Sequence, residues 1–206
     1  MIDLYYWPTP NGRKVSLFLE EAEIEYSLKP INIRVGEQMS AEFQKISPGN
    51  KIPAIVDHAP ADGQGPITIF ESGAILLYLA EKTGRFLSTS DARERLVTLQ
   101  WLFWQVGGLG PMSGQMGHFH VYAPEKIRYA MDRYQTETQR LLTVLDQRLS
   151  QSAYLASENY TIADMACYPW LEVYQGLEPD YARLPNVKRW HDAIAARPAT
   201  VLAYTH

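Results

Sequence analysis

Ser47-Pro48-Gly49-Asn50-Lys51-Ile52-Pro53-Ala54-Ile55-Val56-Asp57 sets a turn, a proline and a short apolar run in immediate succession. Ser-Pro-Gly-Asn supplies turn residues, so 47–50 is read as a turn. Ala54 to Val56 is read as a strand, and a proline is tolerated at the first position of one. Ile52-Pro53 admits two readings. A trans proline would merely open an edge strand. A cis bond, which tight turns sometimes hold, would leave the N–H and C=O of Ile52 unpaired and facing a groove. Those groups would suit an extended peptide that pairs like an added strand.

Outward from that stretch, strand and helix patterns alternate. Upstream, Ile2 to Tyr6 is a short apolar strand ended by Pro8 and Pro10. Lys14 to Glu23 places Val15, Leu17, Phe18, Leu19 and Ala22 on a helical stripe. Tyr26 to Ile33 resumes a strand pattern, and Ser40 to Ile46 is a short helix. Downstream, a polar Pro/Gly-rich loop at 58–66 leads to a strand at Ile67 to Phe70, then a helix from Ser72 to Lys82. The order is βαβ, a short helix, then ββα. After 84–90, which lacks periodicity, no strand pattern recurs. Helices are predicted over Asp91 to Val106, Pro124 to Leu149 (Pro124 in the first turn), Thr161 to Leu177 and Asn186 to Ala196. Gly107-Gly108-Leu109-Gly110-Pro111 reads as a break. The expected fold is therefore α/β plus all-α: an N-terminal domain at 1–83, a linker at 84–90 and a C-terminal helical bundle at 91–206.

Composition narrows the partners. Among 206 residues, 46% are apolar, and 19 basic residues face 23 acidic ones for a net charge of −4. Without a long basic block, nucleic acid is not expected as a partner. No apolar run approaches membrane-spanning length, so no membrane is expected either. Cys167 is the single cysteine, which excludes an intramolecular disulfide and a multi-cysteine metal site. The expected location is the reducing cytoplasm.

Two further junctions suit an anionic ligand. Glu71-Ser72 lies between a strand and a helix, where free N–H groups and the helix dipole suit a carboxylate. Ser72 adds a hydroxyl, and Glu71 can accept from an ammonium; the plainer reading is that Ser72 caps the helix. Thr9-Pro10-Asn11-Gly12 joins the first strand to the first helix. With Thr9 as cap and Pro10 at the first helical position, Asn11 and Gly12 would offer N–H groups to an anion such as a thiolate. A free thiol has a pKa of about 8.5, which falls at helix N-termini; a drop of two units corresponds to about 2.7 kcal/mol. Here too ordinary capping is the alternative. Gln38 and Lys51, in or beside loops, either hold a second carboxylate or are solvated surface residues. His118 and His120 lack a third ligand at metal-site spacing, so no metal is expected. With Met112, Met116, Phe119 and Tyr122 they read as an irregular loop closing over the groove. Trp101, Phe103 and Trp104 suit helix core or a dimer contact.

Tyr6-Trp7-Pro8-Thr9-Pro10-Asn11-Gly12, Ser47 through Asp57, and Phe70-Glu71-Ser72-Gly73-Ala74-Ile75-Leu76-Leu77-Tyr78-Leu79 resemble the thioredoxin-like domain of glutathione transferases. Asn159-Tyr160-Thr161-Ile162-Ala163-Asp164-Met165 resembles the family's capping motif in its helical domain. Its physics stands independently: Thr161 and Asp164 have capping-box spacing, and Tyr160 and Met165 are placed for a hydrophobic staple. Thr9 through Gly12, Leu99 through Met112, and Arg133-Tyr134-Gln135 resemble the bacterial nu class, which reduces disulfides with glutathione.

That resemblance implies roles. Pro53 would be cis, with Ile52 pairing to the backbone of glutathione. Glu71 and Ser72 would hold its γ-glutamyl end. Thr9 and Asn11 would face the sulfurs as catalytic residues, Asn11 also binding glutathione. Gln38, Lys51 and Arg133 would bind carboxylates, Arg133 in its own or the partner subunit of a homodimer. The first loop has no Ser or Cys to activate a thiol, and Tyr6 is read as core or groove wall. Cys167, among apolar helix neighbours, is read as inert packing. Glutathione-dependent reduction of small disulfides is thus the leading expectation. Conjugation of glutathione to electrophiles, with an apolar second pocket, and a non-catalytic scaffold are the alternatives.

Overall fold

The computed structural model describes residues 1–171 and 177–206. Two compact units result, one of Met1–Leu87 with Arg197–His206, the other of Ser88–Ala196. The residues from Arg197 onward thus join the first unit, whereas the sequence pattern placed them with the helical half.

The first unit is built on a four-stranded sheet in the order β2-β1-β3-β4. These strands are β1 (Ile2–Tyr6), β2 (Tyr26–Pro30), β3 (Ala54–Asp57) and β4 (Ile67–Phe70). β1 pairs parallel with β2, and β3 runs antiparallel to both β1 and β4. A parallel pair needs a crossover, which α1 (Pro10–Glu21) supplies. In β1, Ile2, Leu4 and Tyr6 are buried while Asp3 and Tyr5 are half-buried, the alternation that a pleated strand imposes. α1 buries Val15, Leu17, Phe18 and Leu19 completely, because it packs on both α3 (Ser72–Thr83) and α9 (Pro198–Ala203). Each such side chain contributes about 1.5–3 kcal/mol by leaving water. α9 is tied to α1 by Arg197, whose guanidinium donates to Glu21 at 2.5 and 2.8 Å.

α2 (Ala41–Ile46) begins after Ser40, whose hydroxyl accepts the Phe43 N–H at 3.2 Å. β2 stops at Pro30 rather than continuing to Ile33; a short 3₁₀ turn, Glu37–Met39, follows. α3 runs one residue past its expected end, and Gly84 closes it in the left-handed conformation at φ 67°.

The second unit is helical among its described residues. The expected break at Gly107–Pro111 is not there. α4 (Ala92–Trp104) passes through a π-helical turn at Gln105–Leu109 into α5 (Gly110–Gly117), and a second π turn covers His118–Tyr122. The wider turn absorbs the glycines, and Gly110 N–H bonds back to Gln105 O in the i→i−5 pattern. The irregular loop expected over 112–122 is accordingly helix. α6 (Arg128–Leu149) starts later than expected, so Pro124 is not in its first turn. Residues 123–127 stay outside the helix, and Lys126 Nζ donates to His120 O at 2.7 Å. α7 (Ile162–Cys167) passes into a 3₁₀ turn at Tyr168–Trp170. The predicted continuation toward Leu177 falls on 172–176, outside the described residues. α8 (Pro185–Ala195) stands as expected within a residue.

Thr161 and Asp164 form the expected capping box. Asp164 Oδ2 accepts from Thr161 N–H at 2.9 Å and Thr161 Oγ1 at 3.0 Å. Its Oδ1 accepts from Leu155 N–H at 2.9 Å and Trp190 Nε1 at 2.8 Å. One carboxylate therefore ties together the start of α7, the preceding loop and α8.

Candidate functional site

The sheet brings the separated motifs to one end. Tyr5 lies opposite Ala54, and Ala54 opposite Phe70. The exit of β1, the entry to β3 and the exit of β4 therefore adjoin. Thr9-Asn11, Ile52-Pro53 and Glu71-Ser72 leave the sheet at that end. β2 ends there too, with Tyr6 beside Pro30, and the chain proceeds to Gln38 from it. Carboxyl ends of strands in open α/β sheets are where ligands bind.

At the first junction Thr9 is the N-cap, extended at φ −108° and ψ 163°. Its Oγ1 accepts the Gly12 N–H at 3.2 Å. Gly12 therefore does not offer a free N–H, contrary to the sequence reading. Pro10 has none, so the Asn11 N–H is the backbone donor left in that turn. The side chain of Asn11 is half-buried and has no hydrogen-bond partner among the described residues. The Thr9 hydroxyl accepts from Gly12 and keeps its own hydrogen to donate. Such donors at a positive helix end stabilise an anion. Gly12 is required for the close approach of this turn. A Cβ there would lie 2.3 Å from Trp7 O and 3.0 Å from two ring carbons of Tyr6.

Tyr6 is 2% exposed, and its hydroxyl has no hydrogen-bond partner among the described residues. Burial pushes it above the usual phenol range, against an opposing pull from Arg13. A neutral, enclosed phenol matches the reading of Tyr6 as core.

At the second junction the Ile52-Pro53 bond is cis. Ile52 N–H and C=O make no hydrogen bond among the described residues, while the ladder begins at Ala54. The preceding turn is closed by Asn50 N–H to Ser47 O at 2.9 Å and by Ser47 Oγ to Lys51 O at 2.8 Å. Asn50 takes the left-handed conformation at φ 52°, which asparagine tolerates better than most residues. Lys51 is exposed.

At the third junction Glu71, not Ser72, is the N-cap of α3. Its backbone is at φ 71° and ψ 115°, outside the regions a residue with a Cβ prefers. Holding it there costs on the order of 1–3 kcal/mol, and such residues cluster at ligand clamps. The Glu71 side chain is exposed and makes no ion pair among the described residues. Glu71 O accepts from Ile75 N–H, so the amides of Ser72, Gly73 and Ala74 precede the first helical bond. Ser72 is 8% exposed, and its Oγ accepts from Lys14 Nζ at 3.2 Å.

Gln38 stands on the 3₁₀ turn, with its Oε1 buried and without a partner among the described residues. Arg133 is exposed on α6 of the helical unit. Cys167 is fully buried at the end of α7. Trp101 and Trp104 meet edge to face at 5.1 Å, while Phe103 is 64% exposed. His120 Nε2 lies 3.4 Å from Met131 O, and no metal-holding cluster exists among the described residues. No described helix is long and apolar enough to cross a membrane. The sequence reading missed Lys14: a lysine on an apolar helix stripe gives no sign of burial until the partner helix is placed.

Known proteins resemble this chain along most of its length. Residues 9–82 match the glutathione S-transferase N-terminal domain, and 111–198 match the glutathione S-transferase C-terminal domain. Disulfide-bond oxidoreductase YfcG of Escherichia coli is 61% identical, over 97% of this chain and 93% of its own. A glutathione transferase from Burkholderia graminis, crystallised with two glutathione molecules per subunit, superposes with a TM-score of 0.93. It is 42% identical, over 98% of this chain and 86% of its own. A Pseudomonas putida transferase with one glutathione disulfide per subunit gives 0.90 at 42% identity, over 98% and 90%.

Proposed function

The chain belongs to the glutathione S-transferase family, and from that premise we propose that it reduces small disulfides with the thiols of bound glutathione. One observation carries the reading: the protein's single cysteine, Cys167, is fully buried in α7, so the reacting sulfurs come from the ligand. The relatives crystallised with two glutathiones, or with glutathione disulfide, supply the matching stoichiometry.

Ile52 N–H and C=O pair with the glutathione backbone. The free amides of α3, the Ser72 hydroxyl and the Glu71 carboxylate take the two charges of the γ-glutamyl end. The Asn11 and Thr9 donors hold the first sulfur as thiolate. Gln38, Lys51 and Arg133 take remaining carboxylates, Arg133 from either subunit of a homodimer. The protein works in the cytoplasm. The first thiolate attacks one sulfur of the substrate disulfide. A glutathione–substrate bond forms, and the other half leaves as a thiolate that takes up a proton. The second glutathione thiolate attacks the sulfur of the first glutathione and releases the second half in the same way. One substrate disulfide and two thiols give two product thiols and one glutathione disulfide. The protein contributes orientation and fixed donors rather than a redox group.

The test combines calorimetry with turnover. Two glutathiones, or one glutathione disulfide, should bind per subunit, and Cys167→Ala should keep its reductase rate. A folded Cys167→Ala protein that binds glutathione but no longer reduces disulfides would show that the chain uses its own sulfur.

A further inference from the structure

We propose that Lys14 is a positioning residue for the γ-glutamyl carboxylate, acting through Ser72. The proposal rests on the glutathione reading above and deepens it. Lys14 is on the second turn of α1, yet only 2% exposed, among the largest fully buried side chains of the chain. Lysine is almost never buried so completely unless its ammonium is held by polar partners. Here the ammonium crosses to α3 and donates to Ser72 Oγ at 3.2 Å.

The chemistry of that bond has a direction. An ammonium has donors only, so the hydroxyl must be the acceptor. One lone pair of Ser72 Oγ is thereby committed to the interior. Its single hydrogen has no acceptor among the described residues, and Ser72 is 8% exposed, at the start of α3. Lys14 thus leaves the hydroxyl proton available to an outside acceptor. It also sets a positive charge behind the same helix end whose free amides and dipole favour an anion. A hydrogen bond from a hydroxyl polarised by a cation, to a charged acceptor, is stronger than a neutral one. The ligand group that gains is a carboxylate seated on Ser72. Ile52, which leads into β3 and makes no bond to Lys14, would contact peptide backbone and gains nothing from that charge.

The experiment separates this role from mere packing. Full-length protein is titrated calorimetrically with glutathione and with γ-aminobutyryl-cysteinylglycine, which lacks only the γ-glutamyl α-carboxylate. Wild-type protein should prefer glutathione. Lys14→Met keeps the length and removes the charge. It should weaken glutathione binding about tenfold or more, equivalent to about 1.4 kcal/mol, and leave the analogue nearly unchanged. Lys14→Arg should restore most of the preference. Equal weakening of both ligands, or no weakening, overturns the proposal and makes Lys14 a strut. In wild-type protein, which needs no substitution, the nitrogen-15 resonance of the Lys14 ammonium should shift with glutathione and not with the analogue. Equal shifts or none would overturn it as well. Failure of wild-type protein to bind glutathione at all would instead refute the glutathione reading.

Discussion

Gly12→Ala sets two effects of opposite sign against each other at the turn proposed to hold the thiolate. Gly12 is the third residue of α1, with no left-handed backbone to protect, so alanine should favour the helix by about 1 kcal/mol. Against this stands the space. The added Cβ would sit 2.3 Å from Trp7 O and 3.0 Å from Tyr6 Cδ2 and Cε2. Relief needs a shift of roughly 1 Å, given carbon–oxygen contacts somewhat shorter than the carbon–carbon optimum. Neither neighbour yields cheaply. Trp7 O is backbone and accepts the Thr9 N–H at 2.6 Å, and the Tyr6 ring is enclosed at 2% exposure. The first turn must lift, which also stretches the 3.2 Å cap from Gly12 N–H to Thr9 Oγ1. Overpacking costs about 1–3 kcal/mol and a lost cap about 1 kcal/mol, so the clash outweighs the propensity by about 1–3 kcal/mol.

The same shift falls on Thr9 and Asn11. A displacement of about 1 Å at reacting groups can cost on the order of 100-fold in rate. The assay is steady-state reduction of a small disulfide at saturating glutathione, beside thermal melting. At about 2 kcal/mol the melting point should fall by about 4–8 °C for a chain of this size. Gly107→Ala is the control: a Cβ there meets nothing within 4 Å. That change should be neutral or stabilise by about 0.4–1 kcal/mol. A Gly12→Ala protein that melts no lower than wild type and turns over at the wild-type rate would refute the steric argument.

Four further outcomes are expected. Asn11→Ala should lower turnover about tenfold with little change in glutathione affinity, less than an enclosed donor would cost because the residue is half-exposed; an unchanged rate would place the thiolate donors elsewhere. Asp164→Ala strands four donors, those of Leu155, Trp190 and two from Thr161, and at about 1 kcal/mol or more each should cost on the order of 4 kcal/mol in urea unfolding; a loss below about 1 kcal/mol would refute the network. Burial pushes the Asp57 carboxyl up, but donors from Lys82, Tyr78 and Ala59 N–H outweigh it and hold the group below its usual range. A depressed carboxylate stabilises the fold above its unfolded pKa of about 3.9 and loses that contribution as pH falls through the lower folded value; Asp57→Asn should therefore flatten the stability curve below about pH 4, and an unchanged acid slope would count against it. Light scattering at micromolar protein should give twice the chain mass, and a monomer would remove any role for Arg133 in a partner's site.

The order of elements was legible because each carries a local signal. The stripe of α1, the alternation of β1 and the Ser-Pro-Gly-Asn turn stand within a few residues of where they were expected. The misses share a cause, which is long-range packing. Gly107, Gly108, Gly110 and Pro111 look like a break, yet Gly110 sits where a Cβ would meet Gln105 at 2.6 Å and Trp170 at 3.3 Å. Its smallness serves a close contact between distant segments, and the chain stays helical through a π turn. The residues from Arg197 onward look like more of the helical half, but Arg197 reaches back to Glu21 across 176 positions. No window of sequence contains such a bond.

The candidate site divides along the same line. Thr9, Asn11, Ile52, Glu71 and Ser72 announce themselves because each stands where an element begins or ends, and a terminus leaves backbone groups unpaired by its own geometry. What those groups face depends on register. Tyr5 opposite Ala54, and Ala54 opposite Phe70, bring three junctions to one sheet end. Those pairings span about 50 and 16 positions, and neither is written in the junctions themselves. Lys14 is the extreme case. It stands at the start of the stretch read as the α1 stripe, and lysines are ordinarily exposed. Only the packing of α1 on α3 turns it inward and sets its ammonium on Ser72. The donors proposed to meet a ligand are thus readable one motif at a time, whereas the charge proposed to orient one of them belongs to the fold.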